Sequence, residues 1–347
     1  VKPALLHLRT VAAAILGGWL LHLLHVPLAW MIGAMAATAA IAWRGQVAVH
    51  PALRPAALVL LGLAFGQTFS GPVLGALLGA APAILLAGLL SILAGVLVVP
   101  ILVRVAGMDA RTGFFSAIPG GVIVMVVLAQ REGASVPSVT LAQTIRVLVV
   151  VLAVPPLITL FAPHGDASAF LAPRLPFDAL GLAIMLACGL GVALLLRRTG
   201  TANPWMIGPC FLTIGAAVVG QLPSSMPQPL IDAAQVGMGM GLGQRMTRDF
   251  LLRSKQLAVA ALLSSLALCV VCAAMGLALG WLAGLPPAAV MLGMAPGGMP
   301  EMTVTAKALA IAVPLVLAFH LTRTLMCNFL LGPLWRGLTA LGVFPRH

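Results

Sequence analysis

From residue 11 to residue 335 the chain is an almost unbroken succession of apolar runs, each roughly 17 to 27 residues long. Wound as an α-helix, a run of that length matches the hydrocarbon core of a bilayer. A helix also satisfies its own backbone hydrogen bonds, which lipid cannot do. The sequence therefore predicts an all-α integral membrane protein. Composition leaves no stretch for a separate soluble domain: 61% of residues are hydrophobic, 7% are charged, and the mean hydropathy is +1.13. The first run follows Lys2 and Arg9 as a signal peptide would, but it passes into a second apolar segment without a cleavage site. It reads as the first transmembrane helix.

In a soluble protein a net charge of +12 would suggest nucleic acid. Here the bases sit singly in short loops, where they set orientation, so no nucleic-acid partner is expected. Five cysteines, Cys188, Cys210, Cys269, Cys272 and Cys327, all fall in apolar segments, which favours packed thiols. Cys269 and Cys272 form a lone CxxC without the second pair or βαβ context that a metal or redox site needs.

The chain is also written twice. PGGVIVM at Pro119 to Met125 matches PGGMPEM at Pro296 to Met302, an offset of 177 residues. Gly66 and Gln67 fall on Gly243 and Gln244 at that offset, Arg146 on Arg323, and Pro156 on Pro333. AWMIG at Ala29 and PWMIG at Pro204 are 175 apart. The repeats are expected to occupy 1–165 and 166–347 within one membrane unit. Each offers five apolar segments and a sixth containing the PGG motif. Proline removes a backbone donor and glycine gives little helical support, so the PGG segment should break into two half-helices.

The bases decide whether that segment crosses. If both PGG segments cross, the halves point the same way and the bases divide about nine to eight across the membrane. If both dip in and return, the halves are inverted. Residues 2, 9, 44, 54, 104, 111, 131, 197, 198, 245, 248, 253, 255, 336 and 346 then lie inside, with only Arg174 and Lys307 outside. The positive-inside rule favours the second arrangement. The expected fold is two inverted repeats, each of five transmembrane helices plus one re-entrant PGG hairpin, with both termini cytoplasmic. Inverted repeats with discontinuous helices meeting near the midplane are the mark of secondary transporters.

Several side chains stand where such a transporter would hold its cargo. Arg146 and Arg323 lie deep in the last span of each half, where an arginine costs at least about 2.5 kcal/mol and needs a partner or a wet cavity. Two roles stay open: bonding the carbonyls freed at the PGG break, or binding an anionic substrate. The half-helix N-termini after Gly120, Gly121, Gly297 and Gly298 would add amide donors suited to a carboxylate or phosphonate. His320 lies one helical turn before Arg323 and matches Gln143; it reads as a proton shuttle or as a histidine satisfied by its packing. Glu301 has no counterpart, since Val124 occupies the equivalent place; it either caps its half-helix or serves as a coupling carboxylate. Gln67 and Gln244 read either as hydrogen-bonding groups for substrate or as helix-to-helix ties, and the GMGMGLG run at 237–243 suits close backbone approach. Trp30 and Trp205 read as interface anchors.

For an enzyme the materials are thin. His22 and His25 could share a helix face, but no third ligand stands near them in sequence, and no nucleophile motif or nucleotide loop appears. Neither a resident metal nor a cofactor is expected, and the coupling ion, proton or sodium, is left open.

PGG followed by Glu301 and Met302, the downstream helix with its arginine, WMIG heading each half, and the duplication itself resemble the AbrB duplication family of bacterial membrane proteins. The resemblance covers about residues 11 to 340. It implies a transporter of the bacterial inner membrane, although members also carry the labels ammonia monooxygenase and regulator of gene expression. The first motif departs from the fuller pattern in having Val124 in place of the glutamate. Function is thus expected to be alternating-access transport of a small organic anion, in a monomer or a homodimer. The rival expectation is a membrane sensor or regulator of gene expression that binds its ligand without moving it.

Overall fold

A computed structural model of the protein describes residues 3–45, 47–161, 168–171, 176–199, 203–252 and 254–342. The repeat junction at 165/166 and the bases Lys2, Arg174, Arg253 and Arg346 lie outside these. Among the described residues the regular elements are all helices, with no strand. Sixteen α-helices follow one another: α1 (Pro3–Leu23), α2 (Ala29–Trp43), α3 (Leu53–Gly66), α4 (Gly71–Gly79), α5 (Ala81–Ala106), α6 (Ala110–Ala117), α7 (Val122–Arg131), α8 (Val136–Phe161), α9 (Ala179–Arg198), α10 (Pro204–Val218), α11 (Gln228–Gly243), α12 (Arg248–Leu252), α13 (Lys255–Ala283), α14 (Pro287–Met294), α15 (Met299–Ala308) and α16 (Val313–Ala340). Six helices, α1, α5, α8, α9, α13 and α16, are long and apolar enough to cross a membrane alone. Helices α2 and α10 are shorter and apolar, and α3 is bent by 88° from α4.

The duplication governs the backbone in detail. Helices α6 and α14 correspond residue for residue at offset 177, as do α7 and α15, and α2 corresponds to α10 at 175. Left-handed backbone recurs at matching places: Leu28 and Asn203 before α2 and α10, Gly45 and Gly220 after them, Gly107 and Gly284 after α5 and α13, and Gly133 with Ala310. Helix α11 is two residues longer than α3, 16 against 14, which accounts for the change of offset.

Contacts divide the chain into two compact units, and each draws on both repeats. The first contains Val1–Leu78, Ala167–Phe250 and Thr303–Pro314. In it α1 packs on α2, α9 on α10, α2 on α11, and α3 on α10. The last two pairings are one contact made twice. Gly62 and Gly66 of α3 lie against the backbone of Met206 and Cys210, while Gly239 and Gly243 of α11 lie against Met31 and Met35. Both are glycine pairs four residues apart, the spacing that lets membrane helices touch backbone to backbone. Gln67, at the end of α3, donates to Ser224 O at 3.3 Å and accepts from Met226 N at 3.0 Å, so it works as a helix-to-loop tie.

That crossing sets a prediction. A Cβ at Gly239 would overlap Met31 O, so Gly239→Ala should force the helices apart and cost about 1–3 kcal/mol. In α9 an added methyl at Gly191 meets nothing within 4 Å, and Gly191→Ala should be neutral or stabilising by up to about 1 kcal/mol. Thermal unfolding in detergent measures both, and equal midpoints for the two variants would contradict the account.

The second unit contains Gly79–Asp166, Leu251–Met302 and Leu315–His347. Helix α13 is its hub, packing on α5, α8 and α14, while α6 and α7 pack on α8. Aspartate caps α6 at an exposed end, Asp109 accepting from Thr112 N at 3.0 Å, and Ser254 caps α13 through Leu257 N at 3.3 Å. Phe114, Phe115 and Trp335 cluster with ring centroids 5.1 to 6.2 Å apart.

Candidate functional site

Both PGG motifs interrupt a helix, and proline is the cause. The residue before proline is pushed out of the helical region, and Ile118 (ψ 133°) and Ala295 (ψ 137°) are extended at the ends of α6 and α14. The chain then turns through Pro119-Gly120-Gly121 or Pro296-Gly297-Gly298 and starts α7 or α15. Each first glycine is closely packed: a Cβ at Gly120 would press on the side chain of Met125, and one at Gly297 on those of Met302 and Val150. The two methionines are themselves equivalent at offset 177.

A helix stopped this way leaves carbonyls without intrahelical donors, at a cost in an apolar interior. Buried side chains from α8 and α16 bond them, in the same pattern twice. Arg146 donates from Nη1 to Ile118 O at 2.8 Å and from Nη2 to Gly120 O at 2.9 Å. Arg323 donates from Nη1 to Ala295 O at 2.7 Å and from Nη2 to Gly297 O at 2.8 Å. Gln143 Nε2 donates to Phe115 O at 2.9 Å, to Ile118 O at 3.1 Å and to Ser116 O at 3.2 Å. His320 reaches Leu292 O, the counterpart of Phe115 O, at 3.2 Å. Its Nδ1 accepts from Arg323 Nη2 at 2.8 Å, so the proton it donates to Leu292 lies on Nε2. The histidine is thereby satisfied on both nitrogens. Arg146 and Arg323 are 2% and 4% exposed.

All nine candidate residues therefore gather at the two breaks, within the second compact unit. The carbonyl-bonding role open to the arginines is realised at both. Glu301 is buried, and its carboxylate folds back over Gly298, occupying the space a Cβ there would take. It is the third residue of α15, the place from which a glutamate reaches back to the helix start. The matching methionines were visible in the repeated motif, but their packing over the first glycine was not. Among the described residues no group of three or more His, Cys, Asp and Glu is placed to hold a metal ion.

A multi-pass α-helical membrane protein with two broken helices, each tied by a buried arginine, is the class this fold and site define. The pattern of the AbrB family, described as "Transition state regulatory protein AbrB", matches residues 30–339, and the chain belongs to that family. It is similar to "Uncharacterized protein YhjN" of Bacillus subtilis (strain 168), with 26% identity over 94% of this chain and 91% of that protein. It is also similar to "Putative regulator AbrB" of Escherichia coli (strain K12), with 28% identity over 89% of each chain.

Proposed function

We propose that the protein is a secondary transporter of a small organic anion in the bacterial inner membrane. Two inverted repeats of five spans, each with a re-entrant PGG hairpin, would carry the substrate between the hairpin tips by alternating access. Both termini would be cytoplasmic. The observation that carries the reading is the duplicated break: two helices interrupted by the same motif, each with a buried guanidinium on its freed carbonyls. Bare backbone at membrane depth persists where it is buried in protein or lines a cavity. Two buried guanidinium groups in an apolar interior favour an anionic ligand close by.

The name of the Escherichia coli relative favours one rival, a membrane regulator that binds a ligand without transporting it. Counterflow of labelled mono- and dicarboxylates in proteoliposomes separates the two. Exchange is the expected result, and saturable binding with no exchange would overturn the transport reading. The inverted arrangement has its own check: single cysteines at Ser225 and Thr199 should label from opposite faces, outside and inside respectively. Labelling of both from one face rules it out.

A further inference from the structure

The two breaks share a backbone but differ in what stands at the start of the helix that follows. At the second, Gly298 O accepts the first bond of α15, from Met302 N at 3.1 Å, and the carboxylate of Glu301 lies over the Gly298 Cα. At the first, Gly121 O accepts the equivalent bond of α7, from Met125 N at 2.9 Å. No side chain caps α7, and Val124 stands where Glu301 would. A Cβ at Gly121 would meet only Val124 Cγ2, at 3.8 Å, and Gly121 itself is exposed.

Buried polar atoms without partners belong to the residues around that first break. The Arg146 guanidinium is fixed on Gly120 O, one residue before Gly121, and its buried Nε–H has no acceptor. Ser116, buried in the preceding half-helix, has a hydroxyl without a partner, and so does the Oε1 of Gln143, whose amide nitrogen spans the same segment. At the second break a glycine, Gly293, replaces Ser116, and His320 bonds Arg323 directly. The first break thus combines a helix N-terminus, an arginine and a hydroxyl without an acid. The second carries an arginine and a helix start in which Pro300 removes the amide donor that Ile123 supplies in α7, with the Glu301 carboxylate already over Gly298.

We infer that the N-terminus of α7, with Arg146 and Ser116, is the anion site, and that Glu301 fills the equivalent site at α15 as a built-in carboxylate. Residue for residue, the ligand's carboxylate takes over Gly121 the position that the Glu301 carboxylate takes over Gly298. The ligand is a small carboxylate, or an oxyanion of similar size, presented end-on. Gln143 Oε1 faces a hydrogen-bond donor elsewhere on the ligand. This deepens the transport reading by naming the half that binds, and takes the ligand's class from it.

Propionate reproduces the glutamate side chain and is the probe. The purified full-length protein in detergent is titrated with sodium propionate against sodium chloride, and its unfolding temperature is recorded. Wild type should be stabilised saturably. Val124→Glu supplies its own carboxylate over Gly121 and should lose the response. Gly121→Ala has room to fold but puts a methyl where the ligand sits, and should weaken binding at least about tenfold. Gly191→Ala, where an added methyl meets nothing within 4 Å, should keep the response. A wild-type response in both Val124→Glu and Gly121→Ala overturns the assignment, as does a wild-type protein that propionate fails to stabilise. If Val124→Glu does not fold, Gly121→Ala decides alone. Counterflow keeps the two readings apart: exchange that persists in Gly121→Ala sinks the site and spares transport, whereas propionate binding lost in Gly121→Ala without exchange in wild type supports the site and sinks transport.

Discussion

Replacing Arg323 by alanine should cost the protein about 3 kcal/mol or more, and replacing Arg146 should cost less, about 2 kcal/mol. The ranking follows from what each leaves behind. Without Arg323, Ala295 O and Gly297 O lose their side-chain donors and His320 Nδ1 loses its own, all in a buried place. Each orphaned group costs about 1–3 kcal/mol, offset in part because the cation no longer has to be desolvated. Without Arg146, Gln143 still holds Ile118 O, so only Gly120 O is stripped. Arg→Lys keeps the charge but cannot bridge two carbonyls with a planar fork, and should fall between wild type and alanine at each position. Unfolding in mixed micelles measures these differences. Changes within about 0.5 kcal/mol for both alanine variants, the range of an ordinary surface substitution, would show that the bonds contribute nothing to the fold.

The arginines also show which parts of this molecule can be read from a sequence. Their depth, their duplication and their place after a proline-broken helix were all legible, because they depend on chain position and on the cost of burying charge. So was the break itself, since Pro119 and Pro296 act on the residue directly before them. The exact partners were not legible. Ile118 O and Gly120 O are backbone atoms some 26 to 28 residues away, and no side-chain type marks them as acceptors. The division into compact units was also hidden. It pairs α2 with α11 and α3 with α10 across the repeat, through glycines whose neighbours lie far off in sequence. The GMGMGLG run announced close approach there, though not which helix would approach. His320 was ambiguous for a related reason: a titrating histidine and a fully bonded one are spelled alike, and only its contacts to Leu292 O and Arg323 separate them.

Under the proposed transport function, Glu301→Gln should fold, lose about 1 kcal/mol of local stability, continue to exchange substrate, and fail to accumulate it against a gradient. A cap alone does not account for this carboxylate. Where the chain needs only a cap it uses Asp109 and Asp178 at exposed helix ends, or the hydroxyl of Ser254. At the equivalent half-helix α7 it uses no cap at all, so the architecture tolerates an uncapped start. Glu301 instead is buried, 3% exposed, where an ionisable group is costly to retain. Glutamine keeps the size and much of the hydrogen bonding while abolishing titration. A coupling carboxylate therefore loses its link to the driving ion, while the substrate path stays open. The measurement is a pair of assays on one proteoliposome preparation, counterflow at equilibrium and uptake driven by an imposed proton or sodium gradient. Loss of uptake with intact counterflow marks Glu301 as the coupling group. Intact uptake under both gradients would return it to the role of a cap over Gly298, and coupling would then have to be sought elsewhere in the chain.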